Sequence, residues 1–219
     1  MNVSNTTRIL ITAGATNESI DDVRYLGNRS SGQLGALLGF TAAVDSYEVT
    51  LLLGSNCIHP ASHPRLKTIP FSSARDLAAK ISELWQSHDL LIMAAAVADF
   101  TPKGGQTDGK IPRGKSMTLE LCPTEDIVAR LASSKREDQR VICFALEESN
   151  KLHSAAKNKL HRKNVDAIVA NPLETMESKT ITAQVFCKDG RHITPPEDLP
   201  KSHFAKWFIE HLSEILSTT

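Results

Sequence analysis

Short apolar runs alternate with helical patterns through most of this 219-residue chain. The runs predict strands at residues 9–13, 48–54, 66–71, 89–97, 141–146 and 165–170. The segments between them predict helices at residues 32–44, 73–88, 124–134 and 152–163, the third with Thr124 as its N-cap. Nearly continuous apolar strands separated by helices indicate an α/β fold, with a Rossmann-like, mostly parallel sheet and helices on both faces.

Two segments interrupt this alternation. Residues 100–123, which we call the flap, are polar and rich in Gly, Lys and Thr, with a strand-like piece at 117–121. Such a segment is either a disordered loop or a functional cover over a site. Residues 181–194 predict a C-terminal β-hairpin that turns at Lys188, Asp189 and Gly190. An apolar stripe over residues 202–216 predicts a last packed helix, and we expect a single domain across residues 1–219.

Composition narrows the classes of protein to consider. The 25 basic and 25 acidic residues balance, so no overall field favours nucleic acid or a membrane surface. No apolar stretch approaches the roughly 20 residues of a membrane span. The four cysteines lie far apart without metal-ligand spacing, and Cys143, inside an apolar run, is expected to be a core residue rather than a nucleophile. These features indicate a reduced, cytoplasmic protein with no protein-ligated metal centre.

Residues that bind anions follow the first predicted strand, and ligands of parallel sheets lie beyond the carboxyl ends of the strands. Arg24, Asn28, Arg29, Ser30 and Ser31 precede the first predicted helix, where unpaired N–H groups and the helix dipole favour negative charge. The amide of Asn28 can donate to a developing oxyanion. The alternative is an ordinary loop with a serine N-cap.

A run of small residues at 94–98 follows another strand and leaves room for a ligand against the backbone. Asp99 comes next, where its carboxylate could accept from a ribose hydroxyl or hold Mg²⁺ through water. The alternative is a tightly packed strand with Asp99 capping a turn.

Two further groups are cationic. Lys110, Arg113 and Lys115 stand together in the flap, which suits a triphosphate unless the loop is simply solvated. Lys159 and Lys163 lie four apart on one helical face, where like charges repel unless an anion lies between them. The alternative there is a solvated basic face. Phe144, at the exit of a strand, is expected either to stack on a base or to belong to the core.

Five sequence segments occur in the order typical of one enzyme family: TAGAT followed by DDVRYLGNRSSGQLG, then AAAVADF, KI in the flap, EDIV, and KLHRKNVDAIVAN. On these segments the chain resembles the phosphopantothenoylcysteine synthetase family of coenzyme A biosynthesis. The resemblance implies a ligase that activates 4′-phosphopantothenate with a nucleoside triphosphate and couples the acyl-nucleotidylate to L-cysteine. It implies Mg²⁺ and a homodimer whose flap reaches across the interface. The residues that make up the motifs resemble bacterial members, which favours CTP over ATP. Because the chain starts at the synthetase strand, we expect no flavin.

The resemblance also implies roles for individual residues. Asn28 and Lys110 match catalytic positions, and Arg24, Asn28, Arg29, Ser30 and Ser31 match or adjoin substrate-binding ones. The nucleotide-contacting positions are Met93, Ala94, Ala95, Asp99, Lys110, Glu125, Asp126, Ile127, Val128, Phe144, Lys159 and Lys163.

Some positions depart from the family pattern. Glu125 stands where a proline is usual, and the flap reads KIPRGK rather than KIKK. A non-catalytic nucleotide-binding relative therefore stays an alternative. A reductase that uses NAD(P) is less favoured, because Gly14 stands alone after the first strand without the G-x-G-x-x-G pattern.

Overall fold

The computed structural model describes residues 7–114 and 116–217. Its strands are β1 (Arg8–Ala13), β2 (Asn17–Ser19), β3 (Tyr25–Gly27), β4 (Glu48–Gly54), β5 (Leu66–Phe71), β6 (Leu90–Met93), β7 (Phe100–Pro102), β8 (Leu121–Pro123), β9 (Arg140–Glu147), β10 (Ala167–Pro172), β11 (Thr180–Ile181), β12 (Gln184–Cys187), β13 (His192–Ile193) and β14 (Leu199–Pro200). Its helices are α1 (Gln33–Val44), α2 (Ala74–Trp85), α3 (Ile127–Ser133), α4 (Leu152–Lys163), α5 (Lys201–Glu210) and α6 (Leu212–Leu216), with a 3-10 turn at Leu173–Thr175.

One sheet of eight strands organises the described residues, in the order β13-β12-β10-β9-β6-β1-β4-β5. The strands from β10 to β5 run parallel, and β12 and β13 add an antiparallel edge. This confirms the predicted α/β class with its mostly parallel sheet. It also confirms the C-terminal hairpin, whose turn closes with the N–H of Gly190 donating to the carbonyl of Cys187 at 3.0 Å.

Successive residues of a strand point to opposite sides of the sheet, so an apolar strand presents apolar side chains on both faces. Helices cover both of these faces. Ile9 and Ile11 of β1 pack on the face covered by α1, α5 and α6, whereas Leu10 packs on the face covered by α2, α3 and α4. All three side chains are fully buried. None of the described helices is both long and apolar enough to cross a bilayer.

The predicted elements at 48–54, 66–71 and 152–163 are confirmed with the same bounds. The strand predicted over 89–97 is shorter and ends at Met93, because the backbone N–H of Ala95 donates to Thr12 Oγ1 at 3.1 Å and that of Ala96 to the Gly14 carbonyl at 2.8 Å. These bonds carry the chain over the end of β1. The antiparallel hairpin of β2 and β3 was not predicted, because its strands are too short to show a periodic pattern.

Two predictions around the flap are wrong. Thr124 is not an N-cap, because its N–H and hydroxyl bond to the carbonyls of Asp99 and Ala98, at 2.9 and 2.6 Å. Asp126 caps α3 instead, accepting from the N–H of Ala129 at 3.1 Å. The strand-like piece predicted at 117–121 is not a strand, since the pairing with β7 places β8 at the end of the flap.

Candidate active site

A cavity of about 620 Å³ lies beyond the carboxyl ends of β6 and β9. Its walls come from the loop before α1, the 94–99 loop after β6, the start of α3, the end of β9 and the last turns of α4. Twelve of the residues singled out in the sequence line it: Asn28, Arg29, Met93, Ala95, Asp99, Glu125, Asp126, Ile127, Val128, Phe144, Lys159 and Lys163. The fold thus brings together residues that are more than 130 positions apart in the sequence.

Five other predicted residues are not brought into this cavity: Arg24, Ser30, Ser31, Ala94 and Lys110. Lys110 and Ser31 are exposed, and Arg24 is engaged with the flap, its Nη2 donating to the carbonyl of Ile111 at 2.6 Å. Arg113 is exposed and also outside the cavity, and Lys115 lies outside the described residues. Within the described part of one chain, Lys110 and Arg113 therefore do not join the helix lysines in the cavity.

The 94–99 loop is held by hydrogen bonds to the end of β1 and to the residues that follow it. Thr16 Oγ1 accepts from the N–H of Ala98 at 3.0 Å, in addition to the bonds to Thr12 and Gly14. Asn28 lies against the same loop, with its amide Nδ2 donating to the carbonyl of Val97 at 3.1 Å. The loop thus holds a neutral amide at the cavity wall, where it can face a ligand.

The two predicted lysines of α4 are each neutralised by a carboxylate. Lys159 Nζ lies 2.6 Å from Glu147 Oε1, and Lys163 Nζ lies 2.6 Å from both oxygens of Asp126. Burial alone would raise the pKa of Asp126, but the Lys163 ammonium and the Ala129 N–H together lower it from 3.8. The pair's contribution to stability is therefore lost only as the pH falls below 3.8. An anionic ligand would compete with these carboxylates for the lysines.

Arg162 also lines the cavity, and the sequence reasoning missed it. It belongs to the same basic run as Lys159 and Lys163, which was the available signal. Unlike the two lysines, Arg162 and Arg29 make no ion pair with any of the described residues. The cavity therefore presents two guanidinium groups without a direct ion-pair partner among the described residues, although the charge of Arg162 also acts on the Asp126 carboxylate.

Two other lining side chains connect the cavity to its surroundings. Phe144 packs edgewise on Phe204 and at a tilt on Phe208, with ring centroids 6.4 and 5.7 Å apart, and also faces the cavity. Glu125, which replaces the usual proline, is paired with Arg130, whose Nε lies 2.5 Å from Glu125 Oε1. Its negative charge is therefore balanced by a neighbour.

Gly32, the N-cap of α1, lies against a thiol. A Cβ added to Gly14 or Gly32 would lie only 2.1 or 2.6 Å from Cys57 Sγ. Burial raises the pKa of this thiol, so it is a neutral packing group. Because Cys57 fills the space beside Gly14, the geometry gives no support to a dinucleotide site there, in agreement with the missing glycine pattern.

Cys143 lines the same cavity but is expected to be inert. Burial raises the pKa of its thiol to about 12, so the thiolate that reacts with alkylating agents is scarce at pH 8. We expect iodoacetamide at pH 8 to modify the partly exposed Cys122 and to leave Cys143 unmodified until the protein is unfolded, as measured by peptide mass spectrometry. Rapid modification of Cys143 in the folded protein would contradict this assignment.

Comparison with known proteins gives concordant results. Residues 4–216 match the model of the DNA/pantothenate metabolism flavoprotein C-terminal domain. The bifunctional coenzyme A biosynthesis protein CoaBC of Bacillus subtilis is 37% identical over 190 residues, which are 83% of this chain and 45% of that protein. A cysteine/cysteine sulfinic acid decarboxylase of an unknown prokaryotic organism is 43% identical over 168 residues, 76% of this chain and 46% of that protein. The chain thus spans about half the length of these curated relatives.

Among solved structures, the crystal structure of a CoaBC C-terminal domain superposes with a TM-score of 0.80 and 32% identity. That superposition covers 98% of both chains.

Proposed function

Because this chain belongs to the phosphopantothenoylcysteine synthetase family, we propose that it joins 4′-phosphopantothenate to L-cysteine at the expense of a nucleoside triphosphate. The observation that carries the proposal is the convergence of Asn28, Phe144 and the basic face of α4 on one cavity. In the proposed reaction the substrate carboxylate attacks the α-phosphate and displaces pyrophosphate. The cysteine amine then attacks the acyl carbon of this acyl-nucleotidylate, forms the amide and releases the nucleoside monophosphate.

The residues of the cavity divide this work. Lys159, Lys163 and Arg162 draw in the triphosphate and offset its repulsion with the substrate's own charges. The Asn28 amide donates to the oxygen that gains charge when the acyl carbon is attacked. A neutral amide suits that place because it does not ionise in the working pH range and adds no negative charge that would repel the anions. The half-buried ring of Phe144 offers a face on which the base can stack.

Mg²⁺ fits this arrangement as a companion of the nucleotide. The described residues contain no group of three or more His, Cys, Asp or Glu side chains that could hold a metal ion. The exposed carboxylate of Asp99 at the cavity wall would hold Mg²⁺ through water while the phosphates supply most of its oxygen ligands. The ion would reduce the charge of the phosphates.

We further propose that the active unit is a homodimer. Large apolar side chains are exposed on the flap and the neighbouring hairpin: Val23, Tyr25, Phe100, Met117, Leu119 and Leu121. A second copy covering them would also place the flap cations near a cavity, which one chain alone does not do. Size-exclusion chromatography with light-scattering detection measures the molar mass in solution. A monomer at the assay concentration would contradict the dimer.

The assay that tests the ligase is pyrophosphate release from purified protein with 4′-phosphopantothenate and L-cysteine, comparing CTP with ATP at equal Mg²⁺. We expect release that requires both substrates and is faster with CTP. Absence of release with either nucleotide would remove the ligase proposal and leave a non-catalytic relative. Release of CO₂ from cysteine or cysteine sulfinate would instead favour the reaction after which the decarboxylase relative is named.

Lys110→Gln is expected to lower turnover about 100-fold while the melting temperature changes by less than about 2 °C. The side chain is exposed and makes no hydrogen bond or ion pair with the described residues of its own chain, so we expect the fold not to depend on it. The measurements are pyrophosphate release and calorimetry. The control is Lys103→Gln, another exposed flap lysine, which differs from Lys110 in having a surface ion pair with Glu120. A large loss of stability would assign Lys110 a structural role instead.

A further inference from the structure

The first half of the flap is folded onto the turn between β2 and β3. The N–H of Thr107 donates to the carbonyl of Ile20 at 3.0 Å, and the N–H of Asp22 donates to the carbonyl of Gly109 at 3.3 Å. Gln106 adds a side-chain bond to Asp22 at 2.7 Å. The backbone just before Lys110 is therefore fixed, although the lysine itself lies in solvent.

The residue after Lys110 is held by a single buried carboxylate. Asp21, whose side chain is fully buried, accepts from the backbone N–H of Ile111 through Oδ2 at 3.1 Å. Its Oδ1 accepts from the N–H groups of Val23 and Arg24 at 2.9 and 2.8 Å. Arg24 Nη2 lies 3.0 Å from Asp21 Oδ2 and also donates to the Ile111 carbonyl at 2.6 Å. Asp21 and Arg24 thus hold both polar groups of the Ile111 backbone.

Keeping the ionised carboxylate of Asp21 buried costs free energy. We take that cost as a sign that the position of the flap matters for function. Burying an ionised carboxylate requires that nearly all its hydrogen bonds be replaced, and here one of those bonds goes to an exposed loop. Burial alone would raise the pKa of Asp21, but the three backbone N–H groups and the Arg24 guanidinium lower it. The carboxylate therefore stays charged at neutral pH and keeps its hold on Ile111.

We propose that Asp21 is a positioning residue of the ligase reaction: by fixing Ile111 it presents Lys110 in the arrangement that turnover requires. The proposal rests on the proposed function. A lysine side chain is long and flexible, so the region its ammonium reaches is defined only if its backbone is held. A misplacement of about 1 Å at a reacting group costs about 100-fold in rate.

Asp21→Asn tests this directly, because an asparagine keeps one acceptor oxygen and turns an NH₂ group toward one set of N–H donors. We expect trypsin to cleave the native protein after Lys110 about 10-fold faster or more, since the flap detaches. We also expect kcat to fall about 100-fold, with a much smaller change in the KM for the nucleotide. Asp108→Asn is the matched control: it removes a charge from an exposed flap position whose side chain makes no hydrogen bond or ion pair with the described residues.

Ile111→Pro is the second variant, since it removes the N–H that Asp21 accepts and lies in the flap, away from the core. Because trypsin does not cleave a Lys–Pro bond, release of the flap in this variant is followed as cleavage after the exposed Arg113. This variant decides the question if Asp21→Asn fails to fold. Wild-type rates of flap cleavage in the folded variants would overturn the latch, by which we mean the bonds that Asp21 and Arg24 make to the Ile111 backbone. Faster cleavage with unchanged kcat would overturn the positioning role. A wild-type chain without any pyrophosphate release, but with variants that free the flap, would overturn the proposed function and not the latch.

Discussion

Asn28→Asp is expected to leave the fold intact and to lower turnover by about 1000-fold. Loss of one donor to a developing oxyanion costs about 100- to 1000-fold in rate, and the substitution also places a negative charge where anions must meet. The native amide donates to the carbonyl of Val97 at 3.1 Å, a bond that a carboxylate cannot make. Since Asn28 is exposed, this loss has little effect on stability. The measurements are single-turnover formation of the acyl-nucleotidylate and its reaction with cysteine.

Asn56→Asp is the matched control. It introduces the same charge at another exposed asparagine, one whose amide bonds to the Tyr25 hydroxyl at 3.1 Å and which does not line the cavity. We expect its turnover to stay within about twofold of wild type. Wild-type turnover in Asn28→Asp would remove Asn28 from the mechanism, and equal losses in both variants would show a general effect of charge.

The strands of the sheet could be predicted from the sequence because each one is marked by the residues within its own segment. Strand β4 contains the apolar run at residues 51–53 and ends at a glycine, and α4 carries a helical pattern, so the bounds of both elements matched. Two of the segments that differed, the end of β6 and the cap of α3, are set by single bonds between distant parts of the chain. The bonds from Thr124 to the 94–99 loop connect residues about 25 positions apart, which no periodicity reveals.

The candidate site shows the same division. Asn28, which comes after β1, and Phe144, in the second half of β9, could be assigned to one edge of the sheet from topology alone. Cys57 and Asp21 could not, because their roles depend on which backbone groups they contact. The position of Lys110 outside the cavity was also not predictable, since it follows from the bonds that attach the flap to the β2–β3 turn.

The second large effect is expected from the lysines of α4. Lys159→Gln and Lys163→Gln should each lower kcat/KM for the nucleotide about 100-fold. The ratio of wild-type to variant kcat/KM should become smaller as the salt concentration rises. Each substitution removes a cation and also exposes the triphosphate to the carboxylate that the lysine had neutralised, Glu147 or Asp126. Lys157→Gln is the matched control, because Lys157 is exposed on the same helix and does not line the cavity.

A double variant separates binding from structure. Glu147 is only 12% exposed in its side chain, so Lys159→Gln alone leaves a carboxylate without its partner and is expected to lower stability by about 1 kcal/mol. Adding Glu147→Gln removes that charge and should restore the melting temperature. If Lys159 binds the triphosphate, nucleotide kcat/KM will stay well below wild type in the double variant, because the cation is still missing. Full recovery of kcat/KM together with stability would mean that Lys159 only neutralises Glu147, and that the triphosphate depends on Arg162 and Lys163 instead.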